Sequence, residues 1–492
     1  TFVGSGAKNL SMNATATTLT VSSGATVNQS GRLTVAGDYT NSGTVAADAS
    51  SELVLTGEKP LGSYVVGRDV SGTSNGTTAS LMYNVEFKDA YAYVTKVAQG
   101  TNCSNTIAAC ELQIYDMSSS TNPVYVSGRD VNGDTSAGSL DMFDVAIKGN
   151  YLYVTKGGSA TACSQTAGSA IGCELMVFDI SSSTNPTYVA GRDASGNSAG
   201  TGAVNVNDLV IVGDYLYVTK AANATACSQT AGSATGCELM VFDISSSTNP
   251  VYVAGRDASG NSTGTGSVNI TSISATDILV VVGKGANATA CSQTAGSAIG
   301  CELMVFDISS PTSPTYVAGR DASGDNVGVG NVTINTLTVQ DDWALIGKLG
   351  DATACSQTAG SATGCELMVF DISSSTNPTY VAGRDSSGDS DGTGAVEVVK
   401  SKSRSGYWYV GKVGDVTACS QTAGSAIGCE LMVFDISSST NPVYVAGTDA
   451  DGSTTGTGEE NIGAINYRGN SLVALKSANS NACSQTAGSA IG

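Results

Sequence analysis

The chain repeats itself at an interval of 64 residues, and this interval constrains the fold more than any local pattern does. The segment 163–186, CSQTAGSAIGCELMVFDISSSTNP, returns with few changes from Cys227, Cys291, Cys355 and Cys419, and Cys483 opens one more copy. A divergent copy begins at Cys103, and 51–69, SELVLTGEKPLGSYVVGRD, aligns with CELMVFDISSSTNPTYVAGRD. Within one period, β-rich apolar runs alternate with clusters of Gly, Ser, Asn and Asp, the pattern of short antiparallel strands joined by turns. Each unit reads as four strands; in one copy they are 203–212, 215–220, 238–244 and 251–256. The third run, ELMVFDI, is apolar on both faces apart from its Asp, so it is expected as a central strand covered on two sides.

Four-stranded units either stack as an open solenoid or close into a propeller, and the ends of the array decide between them. The Gly-Arg/Thr-Asp ending of the fourth strand falls at Asp69, Asp130, Asp193, Asp257, Asp321, Asp385 and Asp449, seven times. The first unit has only third and fourth strands, near 52–56 and 63–69, and the last only first and second, near 462–467 and 471–476. The expected fold is therefore all-β: a seven-bladed β-propeller of four-stranded antiparallel blades. Its last blade takes two strands from each end of the chain, which pairs edges that would otherwise stay open. On this reading 1–50 is a β-rich extension, 51–482 the propeller, and 483–492 the start of a further repeat.

ELMVFDISSSTNPTYVAGRD, preceded by GDYLYVTK, resembles the LVIVD-repeat β-propeller family, whose units carry a YVYVA-type strand, an L-x-V-x-D-x-S strand and an N-P turn; the likeness covers about 51–480. It implies a propeller on a secreted or surface protein. The family has no uniform catalytic activity, so no active-site residue carries over. Residues 1–50, with TLTVSSGATVNQSGRLTVAGDYTNSGTV, resemble the β-helical rungs of autotransporter-like adhesins.

Charge and composition remove whole function classes. With 42 acidic against 22 basic residues the chain carries a net charge of −20, which repels nucleic acid and anionic membrane surfaces. No run approaches the roughly 18 apolar residues of a membrane helix, so no membrane insertion is expected. The chain has no His, which excludes Ser/His and Cys/His nucleophile pairs and His-containing zinc sites. The strongest features recur in unit after unit, whereas an enzyme needs one asymmetric constellation. The variable first and second strands, such as VEVVKSKSRSGYWYV against VNITSISATDILVVV, show no matched acid, base and nucleophile. The chain is read as a non-enzyme.

The 13 cysteines form six local pairs and one remainder: Cys103 with Cys110, Cys163 with Cys173, Cys227 with Cys237, Cys291 with Cys301, Cys355 with Cys365, Cys419 with Cys429, and Cys483 unpaired. Each pair brackets the long loop between second and third strands. Two thiols per unit without His make poor four-ligand zinc sites, so disulfides and an oxidising, extracellular compartment are expected. The lack of a basic-plus-apolar leader accords with a processed chain beginning at Thr1. Among the Asn-x-Ser/Thr sequons, Asn223 and Asn287 sit in this loop and are the glycosylation candidates.

After each fourth strand comes an Asp followed at alternate positions by Ser, Asn or Asp. Oxygen ligands at this spacing are the calcium-loop alternative to a plain Asp/Gly turn. The turn is the favoured reading; for calcium the candidates are Asp130, Asn132 and Asp134, Asp321 and Asp325, Asp385 and Asp389, and Asp449 and Asp451. No other cofactor is indicated. The Arg-Asp dipeptides from Arg68 to Arg384 are expected as salt bridges that tie strands or blades. Asp179 and its equivalents are expected to accept backbone N–H bonds, and Tyr153, Tyr217, Trp408 and their neighbours are weighed as packing against a carbohydrate platform.

The leading functional expectation is an extracellular structural subunit of a fibre, filament or surface layer, a homopolymer assembled through β-strand contacts of 1–50. The alternative is a secreted adhesin or lectin-like module that binds glycans, with or without calcium.

Overall fold

The structure, a computed structural model, describes residues 61, 64–69 and 80–477 except 99, 101–102, 104–108, 120–121, 137 and 439, together with 484, 486 and the backbone of eight strands between Gly6 and Leu55. The chain divides into two units, Thr1–Ser63 and Tyr64–Gly492.

In the first unit the strands pair in parallel. Gly6 lies opposite Ala25, Ala14 opposite Leu33 and Leu19 opposite Tyr39, and the next layer sets Thr26 opposite Thr44 and Arg32 opposite Glu52. Strands offset by about 19 residues therefore stack in three sheets, as rungs of a short parallel β-helix.

The second unit holds six four-stranded antiparallel sheets, spanning 82–129, 142–192, 206–256, 270–320, 334–384 and 398–448, called blades one to six. In blade three the strands are Val206–Val212, Tyr215–Lys220, Leu239–Asp243 and Val251–Arg256. Tyr215 pairs with Asp243 and Leu239 with Arg256, and a bulge between Val241 and Phe242 bends the outer hairpin. First strands of successive blades pack on one another, and Ile462–Arg468 of a final two-stranded sheet packs on both Val398–Arg404 and Met82–Lys88. The first strands thus line the axis and the fourth strands form the rim.

Six blades are complete, not the seven expected. The last sheet has only Ile462–Arg468 and Ser471–Lys476. Glu52–Leu55, expected as its third strand, pairs instead with Arg32–Val35, and 64–69 is not a strand. The reason is the competing partner: the main chain of Glu52–Leu55 is taken by the parallel ladder with Arg32–Val35, whereas LMVFD, apolar on both faces, belongs between two sheets. Tyr64 and Arg68 nevertheless make the contacts of their equivalents. The Tyr64 hydroxyl donates to Ser484 O at 2.9 Å, as Tyr188 does to Ser164 O, and Arg68 donates to Asn122 Oδ1.

Each core lies between two blades. Tyr153, Leu175 and Val177 of blade two bury against Leu216, Val218, Met240 and Phe242 of blade three, so the all-apolar third strand is the sequence signature of a sheet with neighbours on both faces. Phe242 meets Tyr252 edge to face at 5.8 Å between ring centroids. Gly255 makes the rim possible, because a Cβ there would sit 2.5 Å from the Tyr252 hydroxyl and 2.7 Å from Cys237 Sγ.

Candidate functional site

Two arrangements stand out: a junction repeated between blades and a single asymmetric cluster on the axis. The junction begins with the lysine that ends each second strand. Lys220 is fully buried, and its ammonium donates to Ala234 O at 3.1 Å and Thr235 O at 2.8 Å in its own blade and to Ala194 O at 2.6 Å in the preceding one. Lys284, Lys348 and Lys412 repeat this pattern. The buried Glu238 opens the third strand and accepts N–H bonds from Asn223 at 3.0 Å and Ala258 at 2.9 Å, tying the cysteine loop to the Asp loop. Burial pushes Lys220 down to about 7 against the pull of Glu238, and burial pushes Glu238 up to about 8.

Among the described residues the rim arginines make no salt bridge, contrary to expectation. Arg129, Arg192, Arg320 and Arg384 each donate to the side-chain oxygen of an asparagine in the next blade's N-P turn: Asn185, Asn249, Asn377 and Asn441, at 2.7–2.9 Å. They do tie neighbouring blades. The reason is position: the Asp after each arginine turns inward to organise its own loop, leaving the guanidinium to the neighbour. Ser313 stands where the other copies have Asn, and for Arg256 the structure records a main-chain bond to Gly255 O.

All six local cysteine pairs are disulfides: Cys103–Cys110, Cys163–Cys173, Cys227–Cys237, Cys291–Cys301, Cys355–Cys365 and Cys419–Cys429. The bridges are buried, and beside five of them the rim tyrosine bonds the main chain of the loop, as Tyr252 does to Ser228 O at 2.7 Å. Cys483 lies outside the described residues.

The calcium candidates are occupied by their own loops. Asp385 Oδ1 accepts N–H bonds from Ser387 and Asp389, and its Oδ2 accepts from Gly394; Asp449 likewise holds Asp451 and Gly458, and Asp130 holds Asn132 and Gly138. Asp134 caps Ser136, Asp389 caps Ser390 and Asp451 caps Ser453. Asp321 holds Ser323 and Asp325, with its other oxygen buried and unpartnered, and Asp325 caps Asn326. Among the described residues no three His, Cys, Asp or Glu side chains gather to hold a metal ion. Asn223 and Asn287 accept N–H bonds from Thr225 and Thr289 in turns of the cysteine loop. Asp179 accepts the Ser181 N–H, and Tyr153, Tyr217 and Trp408 are wholly buried.

The axial cluster was not found by sequence reasoning. Asp144 in blade two is 3 % exposed; it takes the Asn84 amide on Oδ1 and the Leu209 N–H on Oδ2, the latter at 2.9 Å. Asp208 takes the Ile273 N–H at 3.0 Å, and on blades five and six the Thr336 hydroxyl takes the Ser401 N–H. Burial holds the Asp144 carboxyl well above its ordinary value; Asp208 raises it further and Lys400 of blade six draws it down. Glu86 is raised by burial and lowered by Lys402 and by hydrogen bonds from the Phe87 N–H and Asn466. The residues stand far apart in sequence. The available signal was that charge varies at the same strand position from copy to copy: Asn84, Asp144, Asp208, Ser272, Thr336, Lys400.

The family model of the LVIVD repeat matches residues 141–159 and 298–319, which take in a first-to-second strand hairpin and a third-to-fourth strand hairpin. Curated proteins offer no match. Solved structures with a similar path include the computationally designed Ika8 protein (13 % identity, 86 % of this chain and 98 % of that one, TM-score 0.41). The periplasmic gluconolactonase PpgL of Pseudomonas aeruginosa is another (11 %, 80 % and 88 %, TM-score 0.45). A third is YCF48 bound to D1 peptide (9 %, 82 % and 91 %, TM-score 0.44). The chain is thus a β-propeller of four-stranded blades, two of which carry a match to the LVIVD repeat.

Proposed function

We propose that the chain is a non-enzymatic, extracellular structural protein whose copies join through their β-helical units into a fibre or layer. One observation carries the reading: the rung strands Thr44–Ala47 and Glu52–Leu55 each have a neighbour on one side only, and among the described residues nothing pairs with their other edge. An open parallel edge with main-chain N–H and C=O groups free is a template for a strand of a second copy. The six disulfides support an oxidising compartment. The propeller, with near-identical rims fixed by buried junctions, is the rigid body that the polymer displays, and Asn223 and Asn287 on its cysteine loops are where glycans attach if the source cell adds them.

The test is electron microscopy of the full chain beside a Val45→Pro, Val54→Pro variant, since proline removes ladder donors. Filaments or sheets from the first and single particles from the second, with the propeller melting unchanged, support the reading. Single particles from both refute it and give precedence to a glycan-binding module, to be followed on a glycan array with and without calcium.

A further inference from the structure

We infer that the final two-stranded sheet takes up a β-strand from a separate polypeptide, one whose sequence follows the third strand of the repeat, ELMVFD. The inference does not rest on assembly through the β-helical rungs. It starts from a position that six blades fill and the last sheet does not. Ser471–Lys476 stands in the place of a second strand: Ile462 pairs with Lys476 as Val206 pairs with Lys220. Among the described residues no strand pairs with its other edge, yet the rim beyond that edge is in place. A Cβ added at Gly452 of the blade-six Asp loop would lie 2.9 Å from Tyr64 Cγ, as one at Gly196 would from Tyr252 Cγ. Arg68 donates from Nε to Pro123 O at 2.8 Å and from its guanidinium to Asn122 in blade one, and Asp69 is buried. The second and fourth positions are thus built on either side of a third that no described strand occupies.

The walls of this position are apolar and reach solvent. Second strands of complete blades, such as Tyr151–Lys156 and Tyr215–Lys220, are buried almost throughout, whereas Leu472, Val473 and Leu475 are half-buried and Ala474 is exposed. On the blade-six side Val445 is 38 % exposed, while its counterpart Val253 packs into the core between blades three and four. The complete blades show what closes such a position: a strand like Leu239–Asp243, apolar on both faces because a blade lies on each side. In the register of blade three, the incoming Leu lies opposite Leu475 and Arg68, and the Val opposite Val473 and Val66. The Phe lies opposite Leu472 and Tyr64, where it meets a tyrosine ring as Phe242 meets Tyr252. The glutamate that opens the strand comes to Lys476 as Glu238 comes to Lys220, whose N–H bonds Glu238 O at 2.8 Å. Main-chain bonds to the sheet edge give affinity, and alternate side chains in the two walls give specificity. The donor is a separate chain because each LMVFD of this one is enclosed in its own blade and Glu52–Leu55 is paired with Arg32–Val35.

The test is fluorescence anisotropy of a labelled peptide, SELMVFDIS, titrated with the full chain; it is the third strand of the repeat with serine in place of its cysteine. Binding should be saturable, absent for a scrambled sequence, and lost for SELMPFDIS, whose proline removes a ladder donor. Val445→Asp, on the exposed wall, should weaken binding roughly tenfold or more, because it sets a charge against an apolar side chain. Val251→Asp, at an exposed position of a complete blade, should leave binding unchanged, and near-UV circular dichroism checks that both variants are folded. Hydrogen exchange places the peptide: it should slow the amides of 471–476 and leave those of Thr44–Ala47 and Glu52–Leu55 as they were. The inference is overturned if the peptide does not bind, if Val445→Asp binds it as tightly as the parent, or if protection falls on the rung strands. It is also overturned if 471–476 is protected without peptide: protection independent of protein concentration assigns the position to the chain's own strand, and protection that grows with concentration assigns it to a second copy.

Discussion

Replacing Lys284 by methionine tests the junction between blades three and four directly. Methionine keeps most of the apolar stem and removes the ammonium, which leaves Ala258 O, Ala298 O and Ile299 O without the donor now at 2.6, 3.2 and 2.9 Å. Bonds from a charged donor contribute about 1.5–3 kcal/mol each, so the three together give roughly 4–9 kcal/mol. Returning a buried ammonium to water refunds several kcal/mol, and the net loss expected is about 3–5 kcal/mol. Urea unfolding at pH 7, followed by near-UV circular dichroism, measures it. Hydrogen exchange locates it: amides at 258–260 and 298–301 should exchange faster, and those at 386–388, two junctions away, should not. A midpoint change worth less than about 1 kcal/mol, or exchange rising equally around the whole ring, would refute the idea that the lysine joins one pair of blades.

Four further outcomes follow from the same geometry. Ser313→Asn gives Arg256 the acceptor its counterparts have and should stabilise by about 1 kcal/mol in urea melts, with Asn377→Ser costing a similar amount. Cys291→Ser with Cys301→Ser opens a bridge of sequence separation 10 and should lower stability by roughly 2–3 kcal/mol from loop-closure entropy, an effect that reducing agent should not increase at that site. Asp144 has its folded pKa raised above the unfolded value near 3.8, so the protonated form favours the fold and stability from this group is lost as pH rises above about 4. Asp144→Asn should therefore gain on the parent protein between pH 5 and pH 8 in urea midpoint, and parallel curves would show that the group does not titrate as argued. Calorimetric titration with calcium should show no uptake at Asp385 or Asp449, whose carboxylate oxygens already hold main-chain N–H groups.

Much of the architecture is written locally and could be read. The two-faced apolar run of LMVFD, the N-P turn and the paired cysteines each act within one blade, so strand order and disulfides follow from spacing. What failed to follow was anything made between blades or requiring a choice of partner. Glu52–Leu55 has a pattern that suits two environments, and only the competing parallel pairing with Arg32–Val35 settles its place. Lys220 reads as a polar strand end, yet it is buried because carbonyls of two blades converge on it. The rim arginines read as salt-bridge partners that tie strands or blades, while their acceptor is an asparagine 56 or 57 residues on. The axial charges sit in strands whose sequences differ from copy to copy, and they stand far apart in sequence.

The Arg-to-Asn bond runs from blades one, two, four and five to the blade that follows, and the lysine of blades three to six reaches back to the blade before. Apart from the copy with Ser313, a 64-residue copy therefore carries one half of the joint on each flank, and such copies fit one another. A gene that gains or loses one whole unit by unequal recombination would still encode matching flanks, without compensating changes elsewhere. The five nearly identical segments are what such a lineage would leave behind, and Ser313 marks a joint where the copies have begun to drift apart.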